Sequence, residues 1–236
     1  VAGLIILACG FFSTMMAQTY FTLNKEFVLE FYCLMLFAVC GMLLLTLAAE
    51  LITIFISIEI MSLAIYTLVG YDRKSVVRSE AVLKYLMLGA FAGGFFVMGT
   101  AFIYAGAKST TFGAIAGVIE TSGFLSSPTM VVGAFLILVA LFFKAAAFPF
   151  HAWVVDVYDG APLPITGFMA TAVKTSVFAV MVNFLVMNSE LRDSWITLLF
   201  YISVITMLAG NLIAIGQDNL KRMLAASGIV HTGYLI

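Results

Sequence analysis

Apolar residues in this chain come in runs of roughly twenty, the length a helix needs to cross the hydrocarbon layer of a bilayer. They do not form the short alternating blocks of a transmembrane barrel. The runs predict eight helices, at about 1–18, 31–48, 50–71, 81–105, 130–148, 163–187, 195–216 and 223–236, the last of them truncated. The expected fold is therefore all-α, a polytopic transmembrane bundle forming a single domain over 1–236. The connection 106–129 is longer and carries Ser, Thr, Gly and Pro; within it, 112–119 predicts a short interfacial helix rather than a span.

Composition agrees with that solvent. Hydrophobic residues make up 64% of the 236 positions and charged residues 10%, where a soluble domain carries roughly 25% charged residues. Net charge is −1 with the cations scattered, which excludes a nucleic-acid footprint and a polybasic membrane anchor. Cys9, Cys33 and Cys40 stand singly in apolar runs, without CxxC or metal-ligand spacing, and read as small buried hydrophobes without chemistry. The chain begins at Val1 without an initiator Met and stops at Ile236 within an apolar run, so it reads as a fragment. The first segment has no basic residue before Lys25 and reads as a mature span rather than a signal peptide.

If the helices alternate in direction, Lys25, Arg73, Lys74, Arg78, Lys221 and Arg222 fall on one side of the membrane and only Lys108 and Arg192 on the other. Six against two is a positive-inside bias. It places loops 19–30, 72–80, 149–162 and 217–222 in the cytoplasm of an energy-coupling membrane such as a bacterial plasma membrane. Of the 11 Lys and Arg, these eight are in loops; the other three, Lys84, Lys144 and Lys174, lie inside spans. Glu59 joins them from the acidic side.

Glu59 sits near the middle of the third run with no basic residue a turn away. A carboxylate at that depth costs at least about 2.5 kcal/mol, so such groups face a partner or a water-filled cavity; a protonated, hydrogen-bonded Glu is the alternative. Lys174 is equally deep, too far from either end to snorkel. Lys144 precedes Pro149 in Phe142-Phe-Lys144-Ala-Ala-Ala-Phe-Pro149-Phe-His151. Proline lacks an N–H and clashes with the preceding turn, so the helix should break there into two half-helices with freed carbonyls. A broken helix beside a buried charge is an ion-site arrangement. His151 follows the break, either passing protons across it or bonded to backbone at the interface. Lys84 has Glu80 at the i−4 spacing of a surface ion pair, so proton transfer and a snorkelling pair both stand. His231 lies in the last run beyond Lys221 and Arg222, its partners open.

A lysine in apolar surroundings holds its proton less tightly than in water, and a nearby carboxylate restores the hold. The predicted relay has Glu59 and Lys144 as a modulating pair, Lys144 and Lys174 passing the proton, and His151 or water bridging them.

These same residues carry a resemblance. Ser57-Ile-Glu59-Ile-Met-Ser-Leu-Ala-Ile-Tyr66, Glu80-Ala-Val-Leu-Lys84, Phe143-Lys144-Ala-Ala-Ala-Phe-Pro-Phe-His151-Ala-Trp153, Ala170-Thr-Ala-Val-Lys174 and Asn219-Leu-Lys-Arg-Met-Leu-Ala225 through His231 resemble the antiporter-like membrane subunits of proton-pumping NADH:quinone oxidoreductase, respiratory complex I. The run Asp156-Val-Tyr-Asp-Gly-Ala-Pro162 and the Lys174 context narrow the likeness to one of the three antiporter-like members. Ala226, Gly228 and Val155 depart from the family pattern, which often has Tyr, Ser and Pro there; none of these removes an ionisable group. The likeness is dense from about Phe31 to Ile236. It implies about fourteen spans in two inverted repeats, with about 31–216 as the first repeat and 221–236 opening the next. It further implies proton translocation driven by redox chemistry elsewhere, other membrane subunits and the lipid bilayer as partners, and no flavin, iron–sulfur cluster or quinone chemistry in this chain. Those cofactors are expected in partner subunits. Rival readings are a subunit of a multi-chain cation/proton antiporter or membrane-bound hydrogenase, and a scaffold whose buried charges only specify packing. A membrane enzyme with its own centre finds no nucleophile-base pair or cluster-spaced cysteines to support it.

Overall fold

The computed structural model describes residues 1–23, 29–71, 76–187 and 189–236. Lys25, Arg73 and Lys74 lie outside the described residues, as does the side chain of Arg78. The apolar runs become α1 (Ala2–Leu23), α2 (Leu29–Leu47), α3 (Leu51–Val69), α4 (Val76–Ala107), α6 (Pro128–Ala145), α9 (Lys174–Val186), α10 (Ser189–Ile215) and α11 (Leu220–Leu235), with the shorter α5 (Phe112–Ser122), α7 (Ala152–Gly160) and α8 (Leu163–Phe168) between them. A π-helical stretch, Met169–Val173, joins α8 to α9, so that Leu163–Val186 forms one span. Among the described residues seven helical segments are long and apolar enough to cross a membrane. The eighth predicted span is the 16-residue α11, short of the roughly 20 residues a full crossing takes.

The chain is a multi-pass membrane protein whose most enclosed spans are α6 and the α8–α9 run; these carry Lys144 and Lys174. α10 is the least enclosed and turns Ile196, Phe200, Leu208, Leu212 and Ile215 outward, an apolar face suited to lipid. Cys33 and Cys40 are also exposed and only Cys9 is half-buried. The expectation that all three fill the core is corrected: Cys9 packs against it from α1, whereas Cys33 and Cys40 sit on outward faces of α2, where a small apolar group suits lipid as well as protein.

Polar contacts pin the ends of the helices. At one end Thr110 Oγ1 donates to Glu50 Oε1 at 2.6 Å, flanked by Leu51 N to Thr110 O and Phe112 N to Ala49 O, both at 3.0 Å. Phe124 N donates to Glu190 Oε1 at 2.8 Å. A second cluster joins α4, α7 and α11: Asp156 takes Arg222 Nη2 at 3.0 Å and Lys84 Nζ at 3.4 Å, while Arg222 Nη1 reaches Asp159 at 3.4 Å. Lys221 Nζ caps α7 by donating to the carbonyls of Asp159 and Ala161 at 2.8 and 2.6 Å, where the helix macrodipole favours a cation.

The predicted break is present. α6 ends at Ala145, Ala146 turns into the left-handed region at φ 66°, the Phe148–Pro149 peptide is cis, and the chain becomes helical again at Ala152. Two half-helices, α6 and α7, replace one rod.

Candidate functional site

The site is built at that break. Because residues three and four apart share a helix face, α3 presents Glu59, Ser62 and Tyr66 in one stripe. Ser62 Oγ donates back to the Ile58 carbonyl at 2.5 Å, which leaves its lone pairs free to accept. Lys144, in the last turn of α6, is 4% exposed and uses them: its Nζ donates to Ser62 Oγ at 2.7 Å and to Tyr66 Oη at 3.2 Å. The ammonium also lies 5.4 Å from the Tyr66 ring centroid and 5.9 Å from that of Phe143, within cation–π range. A buried charge is tolerated when it is hydrogen-bonded in this way. Its position at the C-terminus of α6 adds the favourable end of the helix dipole.

An aromatic stack holds the phenol in place. Tyr66 meets Tyr85 edge-on at 4.7 Å, and Tyr85 stacks on Trp153 at 4.5 Å. Trp153 Nε1 in turn donates to the Phe143 carbonyl at 3.2 Å, which also takes the Ala146 N–H at the end of α6. A Cβ on Gly89 would stand 1.9 Å from Tyr66 Oη, so the phenol reaches Lys144 only because α4 carries no side chain there.

Lys174, 6% exposed, is the first residue of α9 after the π-helical stretch, a local widening that recurs at functional sites. Its Nζ donates to the Gly228 carbonyl and, at 2.9 Å, to Thr232 Oγ1. Thr232 Oγ1 lies 2.8 Å from the Ala145 carbonyl, the residue after Lys144. One hydroxyl on α11 therefore spans from the second lysine to the peptide beside the first.

The other expected residues fall around this centre. Glu59 is half-buried and faces α4: a Cβ on Gly93 would stand 3.1 Å from its Oε1. It lines an open groove of about 500 Å³ with Phe55, Ala90, Gly94 and Val97. Among the described residues Glu59 makes no ion pair with Lys144; Ser62, one turn along, takes the ammonium instead. His151 caps α7 and stacks on Phe148 at 5.5 Å, with its buried Nδ1 unbonded. Lys84, with its side chain 47% exposed, pairs with Glu80 at 2.9 Å as its spacing predicts and with Asp156 at 3.4 Å. His231 is on the exposed face of α11, 3.5 Å from Ser227 Oγ and edge-on to Tyr234; its buried neighbour Thr232 is the residue that enters the site. Ser62, Tyr66 and Thr232 were not singled out from sequence.

Residues 48–236 match the NADH:quinone oxidoreductase/Mrp antiporter, TM family. A relative from Herpetosiphon aurantiacus, NADH-quinone oxidoreductase subunit N 1, is 44% identical over 212 residues, covering 88% of this chain and 43% of the relative. A chain of respiratory complex I from Thermus thermophilus superposes with a TM-score of 0.82 at 34% identity, over 99% of this chain and 48% of that one. A chain of the Mrp complex from Dietzia superposes with a TM-score of 0.75 at 25% identity, over 86% of this chain and 22% of that one. The chain spans about half the length or less of the relatives it matches. With four-fifths of its residues aligned to it, this chain belongs to the NADH:quinone oxidoreductase/Mrp antiporter transmembrane family.

Proposed function

We propose that this chain is the proton-relaying part of an N-type membrane subunit of NADH:quinone oxidoreductase. The observation that carries the reading is the pair of buried lysines, each held by hydroxyls and joined through Thr232 at a helix break. A lysine so placed has a third N–H to give. Glu59, on the same face of α3 and one turn from Ser62, biases Lys144 through space rather than by contact. Lys144 and Lys174 carry the proton, His151 offers an unbonded ring nitrogen beside the break, and the Lys84 cluster holds α4, α7 and α11 together at the membrane edge. We assign about 31–216 to the first of two repeats, and loops 19–30, 72–80, 149–162 and 217–222 to the cytoplasmic side. Flavin, iron–sulfur clusters and quinone belong to partner subunits, whose redox energy arrives here as a conformational or electrostatic signal.

The likeness to a chain of the Mrp complex favours one second reading, a subunit of a multi-chain cation/proton antiporter. Gentle purification of the tagged parent polypeptide from membranes separates the two. NADH oxidation with flavin and iron–sulfur absorbance in the same particle is the expected result. Recovery with other membrane subunits and no redox centres would make the antiporter reading the right one.

A further inference from the structure

We infer that Thr232 is a positioning residue that ties the protonation of Lys174 to the broken end of α6. The inference rests on Lys174 being a proton carrier, as proposed above. Thr232 is fully buried and lies where three helices meet: its own α11, the start of α9 and the end of α6. A hydroxyl has one proton to give and lone pairs to accept with. Here the lone pairs face the Lys174 ammonium at 2.9 Å, so the O–H must point elsewhere. Two carbonyls are within reach, Ala145 at 2.8 Å and the local Gly228 at 3.3 Å. The shorter contact is the one across helices, to a carbonyl freed from the helical ladder by the break.

When Lys174 passes its proton on, its nitrogen gains a lone pair and becomes an acceptor. The Thr232 O–H then has a basic amine beside it and can turn from the Ala145 carbonyl to Lys174, while an amine N–H continues to serve Gly228. The Thr232 proton stays on its own oxygen throughout. The consequence is that the peptide after Lys144 is tethered to α11 while Lys174 is charged and released when Lys174 is neutral. Loading one lysine is thereby felt at the backbone that positions the other.

The test uses the assembled complex reconstituted in vesicles, reading protons moved per NADH oxidised. Thr232→Val keeps the shape and removes the hydroxyl; Thr232→Ser keeps the hydroxyl and removes the buried methyl. A positioning role predicts that Thr232→Val lowers the proton-to-electron ratio about tenfold, the weight of a hydrogen bond to a charged group, while Thr232→Ser retains it. A packing role predicts the reverse order, and that outcome, or normal pumping in Thr232→Val, overturns the inference. If Thr232→Val does not assemble, Thr232→Ala replaces it with the same expected loss. Lys174→Met is measured alongside. Normal pumping in Lys174→Met removes the proton-carrier reading itself, whereas lost pumping there with normal pumping in Thr232→Val removes only the role of Thr232.

Discussion

Replacing Lys144 with Met is expected to lower proton pumping by at least about a hundredfold, the lower end of what a positioned proton carrier contributes, while the complex still assembles. Assembly should survive because Met is close in volume and apolar. A buried charge exchanged for a packed hydrophobe is often neutral or stabilising, and Ser62 retains its bond to the Ile58 carbonyl. Pumping should not survive, because the group between the α3 stripe and the break that can gain and lose a proton is gone. Lys144→Arg separates charge from proton release: a guanidinium keeps its proton above about pH 12 and presents a planar fork, so it should be as inactive as Met despite preserving the cation. Ser62→Ala and Tyr66→Phe each leave the ammonium one of its two partners and are expected to lower pumping about tenfold. The measurement is vesicle acidification normalised to NADH oxidation. Undiminished acidification in Lys144→Met would remove the relay, and an active Lys144→Arg would show that charge alone suffices.

The sequence carried the helices well where apolar patterning runs uninterrupted, and less well at their polar ends. α10 starts at Ser189 rather than near 195, because its first residues include Glu190, Arg192 and Asp193, which hydropathy reads as loop although they are compatible with a helix protruding beyond the apolar layer. α11 starts at Leu220 because Asn219 accepts the Lys221 N–H as an N-cap, a signal independent of hydropathy. The break at Pro149 was legible because proline has a steric consequence wherever it sits in a helix. The π-helical stretch before Lys174 was not, since nothing in Met169-Ala-Thr-Ala-Val173 differs from ordinary helix. Among the site residues, Glu59, Lys144 and Lys174 stand out because a charge in an apolar run is rare. The hydroxyls do not, because Ser and Thr inside helices commonly bond their own preceding turn. Ser57, Thr175 and Thr206 do so here, each donating to the carbonyl four residues back. Ser62 does the same and Thr232 has the carbonyl four residues back within 3.3 Å. Only the three-dimensional packing reveals that both also meet a lysine, and that Thr232 has a shorter contact across helices to the Ala145 carbonyl. The Glu80–Lys84 pair was readable from spacing, but Asp156, which shares Lys84 with it, comes from a helix 72 positions away.

Gly99→Leu is expected to produce the largest loss of assembled protein. Small residues let membrane helices approach closely, and α4 and α6 use one from each side. A Cβ on Gly99 would stand 2.7 Å from the Gly133 carbonyl oxygen and 3.0 Å from the Ile137 nitrogen; a Cβ on Gly133 would stand 2.7 Å from the Gly99 carbonyl oxygen and 2.9 Å from the Ile103 nitrogen. These obstacles are backbone atoms, which cannot rotate aside as a side chain can, so the helices must separate. Overpacking of this kind costs about 3 kcal/mol or more at an unyielding position. Separation also has a local consequence, since α4 supplies Tyr85 to the stack that holds Tyr66 and Trp153, and α6 carries Lys144 itself. The recovery of intact complex should therefore fall severalfold, and whatever assembles should pump poorly. Gly117→Ala is the control, because a Cβ there meets nothing within 4 Å and alanine is the better helix former by about 0.5–1 kcal/mol; recovery should be unchanged or higher. Size-exclusion profiles and thermal inactivation of the detergent-solubilised complexes distinguish the two. Equal recovery of Gly99→Leu and Gly117→Ala would mean that the close crossing of α4 and α6 contributes little to the fold, and that Lys144 is positioned by the aromatic stack and the hydroxyls alone.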